Sequence, residues 1–284
     1  MNHDCNTKGP DFLPLINPPE KDKRSLEYCF AFMGRSLLLI CENNSLRLPL
    51  TEDLENIDAN IIGKQYLGEY GECSCFSFEL EHSSFENDSV RFHELRKLTG
   101  ILDDPIASLA ARAVHVMEWD RKTRFCGFCG SKTEQRANER AKECPECGLL
   151  FFPKISPAII VMIEKEDKLL MARSPYFPEG IYGLIAGFVE PGESIEEAVV
   201  REVYEEVGIS IKDIEYFGSQ PWPYPDSLMI RFTAKYSGGE ICIDNVEIED
   251  AGWFTMDEMP SVPGTSSISG QLVEYFLQKH RLDK

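Results

Sequence analysis

The sequence predicts a chain of mixed α and β structure in three parts. These are an N-terminal α+β domain over residues 1–120, a four-cysteine zinc ribbon over 121–153, and a C-terminal domain of strands and helices over 154–284. Three observations carry that reading. Apolar runs of strand length, broken by turn residues, fill the first part and end in a helix-length periodic stretch. Two C-x-x-C pairs stand together in the middle. In the last part a capped, glutamate-rich helix pattern lies between further strand-like runs.

Residues 1–20 carry Pro10, Pro14, Pro18 and Pro19 and read as a loosely docked lead. Strands are expected over 28–32 and 36–41, joined at Gly34, and again over 61–67 and 73–79. Helices are expected over 92–99 and 104–119. The second has Pro105 in its first turn and apolar Ile106, Leu109, Ala110, Ala113, Val114 and Met117 at helical spacing.

Cys126 and Cys129 form one C-x-x-C pair, Cys144 and Cys147 the other, and Gly130 and Gly148 follow them directly. Four thiolates at this spacing suit a closed tetrahedral Zn2+ site. With no open coordination position, one zinc per chain would be structural. Disulfides and a redox C-x-x-C site are the competing readings, and two matched pairs favour zinc over both. Cys5, Cys29, Cys41, Cys73, Cys75 and Cys242 show no comparable spacing.

The C-terminal part opens with strands over 158–163 and 168–173, and the segment 181–188 leads into the acidic helix. Ser194 and Glu197 have the form of a capping box, apolar Ile195, Ala198, Val199, Val203 and Val207 recur near helical spacing, and Gly208 suits a left-handed C-cap. On that helix Glu202, Glu205 and Glu206 fall at i, i+3 and i+4, so three carboxylates share one face. A divalent cation such as Mg2+ would offset their repulsion and join them to phosphate oxygens. Arg201 adjoins the cluster and can pair with a carboxylate, Glu193 foremost. A merely solvated acidic face is the bland alternative.

Next comes Ser219-Gln220-Pro221-Trp222-Pro223-Tyr224-Pro225-Asp226-Ser227. Alternate prolines stiffen such a backbone, and the aromatic rings between them can stack on a flat heterocycle. It reads as a loop between strands over 214–220 and 228–236. A short strand over 251–254 and a helix over 269–279 close the chain.

The stretch from Gly187 to Ile209 fits G-x5-E-x7-R-E-U-x-E-E-x-G-U, with U aliphatic, at Gly187, Glu193, Arg201, Glu202, Val203, Glu205, Glu206, Gly208 and Ile209. It resembles the Nudix box. The proline-aromatic segment resembles the SQPWPFPxS motif of NADH pyrophosphatases, with Tyr224 in place of Phe. Ribbon, box and this motif in that order are similar to the NADH pyrophosphatase family from about residue 105 to 255. Before residue 100 the likeness rests on domain order.

The resemblance implies a C-terminal Nudix α/β/α sandwich with a mixed sheet, after an N-terminal Nudix-like domain without catalytic residues. It implies metal-dependent hydrolysis of NADH or NAD+ to nicotinamide mononucleotide and AMP, and by the same chemistry removal of an NAD cap from the 5′ end of RNA. Mg2+ or Mn2+ would be held by Glu202, Glu205, Glu206, Glu247 and the carbonyl of Ala186. Glu247 is selected by its place before Ala251-Gly252-Trp253-Phe254, although Glu249 and Asp250 crowd it. Glu206 is expected to matter most for turnover, with Glu193 and Arg201 organising the box. Substrate contacts would come from Phe152, Phe188, Ser269 and the segment Gln220, Pro221, Trp222, Pro223, Tyr224, Pro225, Asp226 and Ser227. The implied assembly is a homodimer. Rival readings are another Nudix specificity, such as ADP-ribose or diadenosine polyphosphates, and a dinucleotide sensor without turnover.

A net charge of -19 argues against general polyanion binding. The segment 119–142 runs the other way, with Arg121, Lys122, Arg124, Lys132, Arg136, Arg140 and Lys142. It is either a solvated surface or an anion-guiding patch. The apolar fraction of 43% supports sizeable cores, yet no apolar run reaches the length of a membrane span. The N-terminus has neither signal-peptide nor transit-peptide character, so the cytoplasm is the default expectation.

Overall fold

The computed structural model of the protein describes residues 11–19, 27–42, 45–81, 89–98, 101–262, 264 and 267–282. The chain forms two compact units, Met1–Lys154 and Ile155–Lys284.

The first unit contains β1 (Phe12–Pro14), β2 (Glu27–Met33), β3 (Ser36–Glu42), β4 (Ser45–Arg47), α1 (Thr51–Asn56), β5 (Ile61–Tyr70), β6 (Cys73–Leu80), β7 (Val90–Glu94) and α2 (Asp104–Lys122). Its sheet runs β1-β5-β6-β2-β3-β4, with β7 also on β3. One expectation changes here. The helix expected over 92–99 is instead strand β7 and a short 3-10 turn, Leu95–Leu98, and Thr99 lies outside the described residues. Val90 and Phe92 alternate toward the core beside Leu38 and Ile40, and β3 offers them a ladder; sheet pairing overrides the weak helical pattern. Of the lead read as disordered or loosely docked, residues 11–19 are described, and Phe12, Leu13 and Pro14 pair with Tyr70, Glu69 and Gly68; the rest of it lies outside the described residues. Pro14 is tolerated because β1 is an edge strand.

The ribbon belongs to this unit, as β8 (Glu134–Gln135), β9 (Lys142–Glu143) and β10 (Leu150–Phe151) in the order β10-β9-β8. Its basic residues are largely compensated in place. Arg124 meets Glu79 at 2.5 Å and Lys142 meets Asp120 at 2.8 Å; Arg121 and Lys122 lie against Glu118, and Arg136 between Glu139 and Glu143. Arg140 donates to the carbonyls of Tyr66 and Leu15 at 2.9 and 2.8 Å. Most cations of segment 119–142 are thus taken up by partners within the unit, Lys142 in a buried pair.

The second unit contains β11 (Ser156–Lys165), β12 (Lys168–Arg173), β13 (Ile185–Phe188), α3 (Ile195–Val207), β14 (Ser210–Trp222), β15 (Ser227–Gly238), β16 (Asp250–Thr255) and α4 (Ile268–Leu282). The sheet order is β14-β15-β11-β12-β16, with β13 paired to β11. Only β11 and β15 run parallel, so the sheet is mixed. Strand alternation divides the core into two layers. Ile159, Val161 and Ile163 of β11 pack with Ala198, Val199, Val203 and Val207 of α3. Ile160 and Met162 face the other way, onto Ile268, Leu272, Val273 and Phe276 of α4. This is the α/β/α sandwich.

The two units share one plan. In each, a hairpin (β2–β3, β11–β12) runs beside a second hairpin (β5–β6, β14–β15) through a parallel pair, and a last strand joins the first hairpin. The first unit has the six-residue α1 where the second has the thirteen-residue α3. A helix that short cannot carry the box, in keeping with the implied non-catalytic Nudix-like domain.

Candidate active site

Helix α3 is fixed at both ends. Ser194 Oγ accepts from the Glu197 amide at 3.3 Å, Glu197 Oε2 accepts from the Ser194 amide at 2.7 Å, and Gly208 (φ 70°) closes the C-terminus. The inner face is apolar and buried. Glu202 and Glu206, at the rim of that face, are buried with it, whereas the side chain of Glu205 is 58% exposed.

Arg201 gathers the box. Its Nε and Nη2 donate to the two carboxylate oxygens of Glu193 at 2.8 and 3.0 Å, Nη1 to Glu202 and Glu205 at 2.9 Å each, and Nη2 to the carbonyl of Phe188 at 2.8 Å. The guanidinium, helped by the Glu190 amide, holds the Glu193 carboxyl below the usual carboxylate range. Glu193 is thus an internal brace, through Arg201, for the helix and for β13.

Gly187 serves close approach. The carboxylate of Glu202 lies over its Cα, and a Cβ there would stand 2.0 Å from the Glu202 carboxyl carbon. Gly187→Ala is expected to expel this carboxylate and cut turnover by about 10²-fold, as misplaced catalytic groups do, with Tm shifted by only a few degrees. Near-normal kcat in that variant would show that Glu202 is not held in its working position.

Glu206 is 6% exposed and has no ion pair among the described residues. Burial, and then the charges of Glu202, Glu247, Asp244 and Glu205, push its carboxyl up to about 8. Burial also raises Glu202. Glu247 therefore joins the cluster, although it lies on the loop before β16. Its crowding neighbours are engaged elsewhere: Glu249 with Arg173 at 2.5 Å, and Asp250 with the Tyr182 hydroxyl. The charge of Asp244, which sequence reading passed over, also acts on Glu206. The available signal was an aspartate three residues before Glu247, a spacing at which its side chain can cap the following amides. An all-carboxylate set with one buried, uncompensated member fits a hard divalent cation. Among the described residues only the four cysteines already bring their ligand atoms within 4.8 Å of one another, while Glu202 and Glu205 are turned to Arg201. Ala186 is exposed in β13, directly before Gly187.

The raised Glu206 carboxyl has a stability consequence. In the metal-free fold it holds a proton that the unfolded chain, with its ordinary value of 4.5, has already lost. Unfolding then releases a proton, so stability falls as pH rises from about 4.5 toward 8 and levels off above. Tm measured without added Mg2+ or Mn2+ and with the zinc retained should drop between pH 6 and 8.5, and Mg2+ should recover more at pH 8.5 than at pH 6. A flat or rising Tm under these conditions would contradict the burial of Glu206.

The loop is shorter than expected. Ser219 and Gln220 lie in β14 as the expected strand had them, and Pro221 and Trp222 extend it, so that Ser219, Gln220, Pro221 and Trp222 pair with Ile230, Met229, Leu228 and Ser227 of β15. Only Pro223, Tyr224, Pro225 and Asp226 form the turn. Because β14 is an edge strand, Pro221 costs the ladder little. Trp222 packs against the core under α4 and meets Tyr224 edge-on, with ring centres 5.2 Å apart. Asp226 ties the turn to β11 by accepting from Ser156 Oγ at 2.7 Å.

Register then relates this segment to Phe188. Gln220 pairs with Met229, Met229 with Ala158, and Ala158 with Phe188. Residues on one rung face the same side, so Gln220 and Phe188 share the α4 face across three strand spacings, about 14 Å. Phe188 is 53% exposed, which argues against ordinary core packing. Ser269, in the first turn of α4, has a buried hydroxyl with no partner among the described residues. Phe152 belongs to the first unit, just beyond β10, and is 56% exposed.

In the ribbon, Sγ of Cys126 lies 3.6 Å from that of Cys147, and Cys129 3.4 Å from Cys144. These spacings exceed a disulfide bond and suit thiolates around one ion. The two knuckles match. Gly130 and Gly148 each donate to the carbonyl of the cysteine four residues back, Cys126 and Cys144, at 2.9 Å.

Comparison with known proteins matches three stretches of the chain to family models. Residues 26–119 match the NADH pyrophosphatase-like rudimentary NUDIX domain, 121–152 the NADH pyrophosphatase zinc ribbon domain, and 154–276 the NUDIX domain. The NAD-capped RNA hydrolase NudC of Stutzerimonas stutzeri is 42% identical over 226 residues, 80% of this chain and 82% of that one. The chain belongs to the NADH pyrophosphatase family of Nudix hydrolases. Other members include the NAD-capped RNA hydrolase NudC of Pseudomonas fluorescens, 39% identical over 84% of this chain and 86% of its own. That of Pseudomonas aeruginosa PAO1 is 48% identical over 57% of this chain and 58% of its own. As a member of this family the chain carries a zinc ribbon with its four cysteines assembled. No helix among the described residues is long and apolar enough to cross a membrane.

Proposed function

We propose that the protein hydrolyses the diphosphate linkage of NADH, and of NAD+, to nicotinamide mononucleotide and AMP, and that the same cleavage removes NAD caps from RNA. The observation that carries this is Glu206, buried and without an ion pair among the described residues, on the same helix that lays Glu202 over Gly187. The names of the relatives support the substrate class.

Glu202, Glu205, Glu206 and Glu247, with the carbonyl of Ala186, would hold Mg2+ or Mn2+. Such a cation, when bound, lowers the pKa of water and offsets charge on phosphate oxygens. Arg201 and Glu193 keep β13 and α3 in register so that Glu202 stays over Gly187. Phe188 and Gln220, on one rung of the sheet, and Ser269 at the start of α4 would contact the dinucleotide, and Pro221 to Ser227 would shape the end of its groove. We place the protein in the cytoplasm as a homodimer.

The test is product analysis by mass spectrometry with Mg2+ and with Mn2+, on NADH, NAD+, ADP-ribose, diadenosine polyphosphates and NAD-capped RNA. Formation of nicotinamide mononucleotide supports the reading, and kcat/KM ranks free against capped substrate. Inertness toward NADH, NAD+ and capped RNA alike would overturn it.

A further inference from the structure

Glu247 is the one proposed metal-holding carboxylate that no regular element carries. It stands in the loop between β15 and β16, and that loop is anchored at two places. At one end the Cys242 amide donates to the Val207 carbonyl, the last residue of α3, at 2.9 Å. At the other, Ile248 is buried in the α3-side core and the Glu249 amide donates to the Arg173 carbonyl at 3.0 Å. Between these anchors the chain turns through Asn245 in a left-handed conformation (φ 60°).

The carboxylate of Asp244 closes that turn. It accepts from the Glu247 amide at 3.2 and 3.0 Å through its two oxygens, and from the Ile248 amide at 2.9 Å. These are the bonds of the Glu247 main chain among the described residues. Backbone amides donating to one carboxylate are charge-assisted and directional.

We propose that Asp244 is a positioning residue, which sets the Glu247 carboxylate against Glu206 and thereby the affinity of the site for its divalent cation. This rests on the reading of Glu247 as a metal-holding residue. Outer groups that orient metal-holding side chains commonly contribute about 10- to 100-fold in affinity.

The experiment is Mn2+ titration of the full-length protein by electron paramagnetic resonance, beside kcat and the Mn2+ activation constant. The variants are Asp244→Ala, Asp244→Asn, Glu247→Ala and the double Asp244→Ala/Glu247→Ala. Asp244→Ala should weaken Mn2+ binding by about 10-fold, with kcat at saturating Mn2+ within a few-fold of wild type. Asp244→Asn, which keeps an acceptor oxygen, should recover most of the binding. The double variant should bind Mn2+ no more weakly than Glu247→Ala alone, because Asp244 acts through Glu247. Wild-type Mn2+ affinity in Asp244→Ala, Asn no better than Ala, or additive losses in the double variant would each overturn the proposal. Mn2+ binding is read without turnover. A protein that binds Mn2+ in this pattern but cleaves no dinucleotide would sink the proposed reaction and leave the role of Asp244 standing.

Discussion

Glu206→Gln is expected to lower kcat on NADH by about 10³-fold, within the range lost when a group that handles charge in the transition state is removed. KM should move far less. The substitution is nearly isosteric, so the buried site need not rearrange. Its side chain is neutral, as the Glu206 carboxyl itself is at neutral pH in the metal-free fold, where burial and four neighbouring carboxylates hold it at about 8. Stability should therefore survive the change. At pH 8.5, without added Mg2+ or Mn2+ and with the zinc retained, the variant should melt above wild type, because wild type must then ionise a buried carboxyl and the variant has none to ionise. Steady-state kinetics and paired melts at pH 6 and 8.5 check both halves. A variant that turns over like wild type would leave the glutamate cluster without its assigned part and favour a sensor that binds without cleaving.

Removal of zinc is expected to have the second large effect. Cys144 is wholly buried and Cys126 nearly so, and each donates its amide within its own knuckle, to Leu149 and Ser131 at 2.9 and 2.8 Å. The ribbon's three strands are two residues each, too short to be stable alone. Beside the ties of Arg124, Arg140 and Lys142 to the rest of the unit, its order rests on the metal, whose binding is worth about 10–16 kcal/mol in small zinc-finger peptides. Cys144→Ser, or treatment with a strong chelator, should take the zinc content from one per chain toward none. Limited proteolysis should then cut within residues 121–152 while a fragment covering 155–284 resists. Retention of one zinc in Cys144→Ser, or a ribbon equally resistant with and without metal, would argue against a structural four-cysteine centre.

The features readable in the sequence were those written in local spacing. The capping box at Ser194 and Glu197, the left-handed Gly208 and the shared face of Glu202 and Glu206 all depend on residues within a few positions of one another. The two zinc knuckles are equally local. The failures are of the opposite kind. Residues 92–99 read as a helix because their pattern is ambiguous, and the free edge of β3 decided for a strand. The proline-aromatic segment read as an exposed loop because prolines dominate it. Pairing with β15 extended it into the sheet, and the α4-side core took up one side of Trp222. The basic run of 119–142 left a solvated surface and an anion-guiding patch both open in the sequence, because its partners Glu79 and Glu118 lie outside it or at its border.

By itself, then, the sequence determined the chemistry available: four thiolates for one zinc, and glutamates on one helical face for a hard cation. It also determined the family, through motifs whose spacing local backbone geometry dictates. Tertiary structure alone decided what those groups meet. Strand register placed Gln220 and Phe188 on one rung and one face. Close approach of α3 to β13 made Gly187 the floor beneath Glu202. A loop anchored to the end of α3 brought the charges of Glu247 and Asp244 to bear on Glu206, about forty residues away along the chain. The physical reason is range. Helix periodicity and knuckle turns are fixed within about one turn of chain, whereas burial and the repulsion between carboxylates exist only once distant segments share a core.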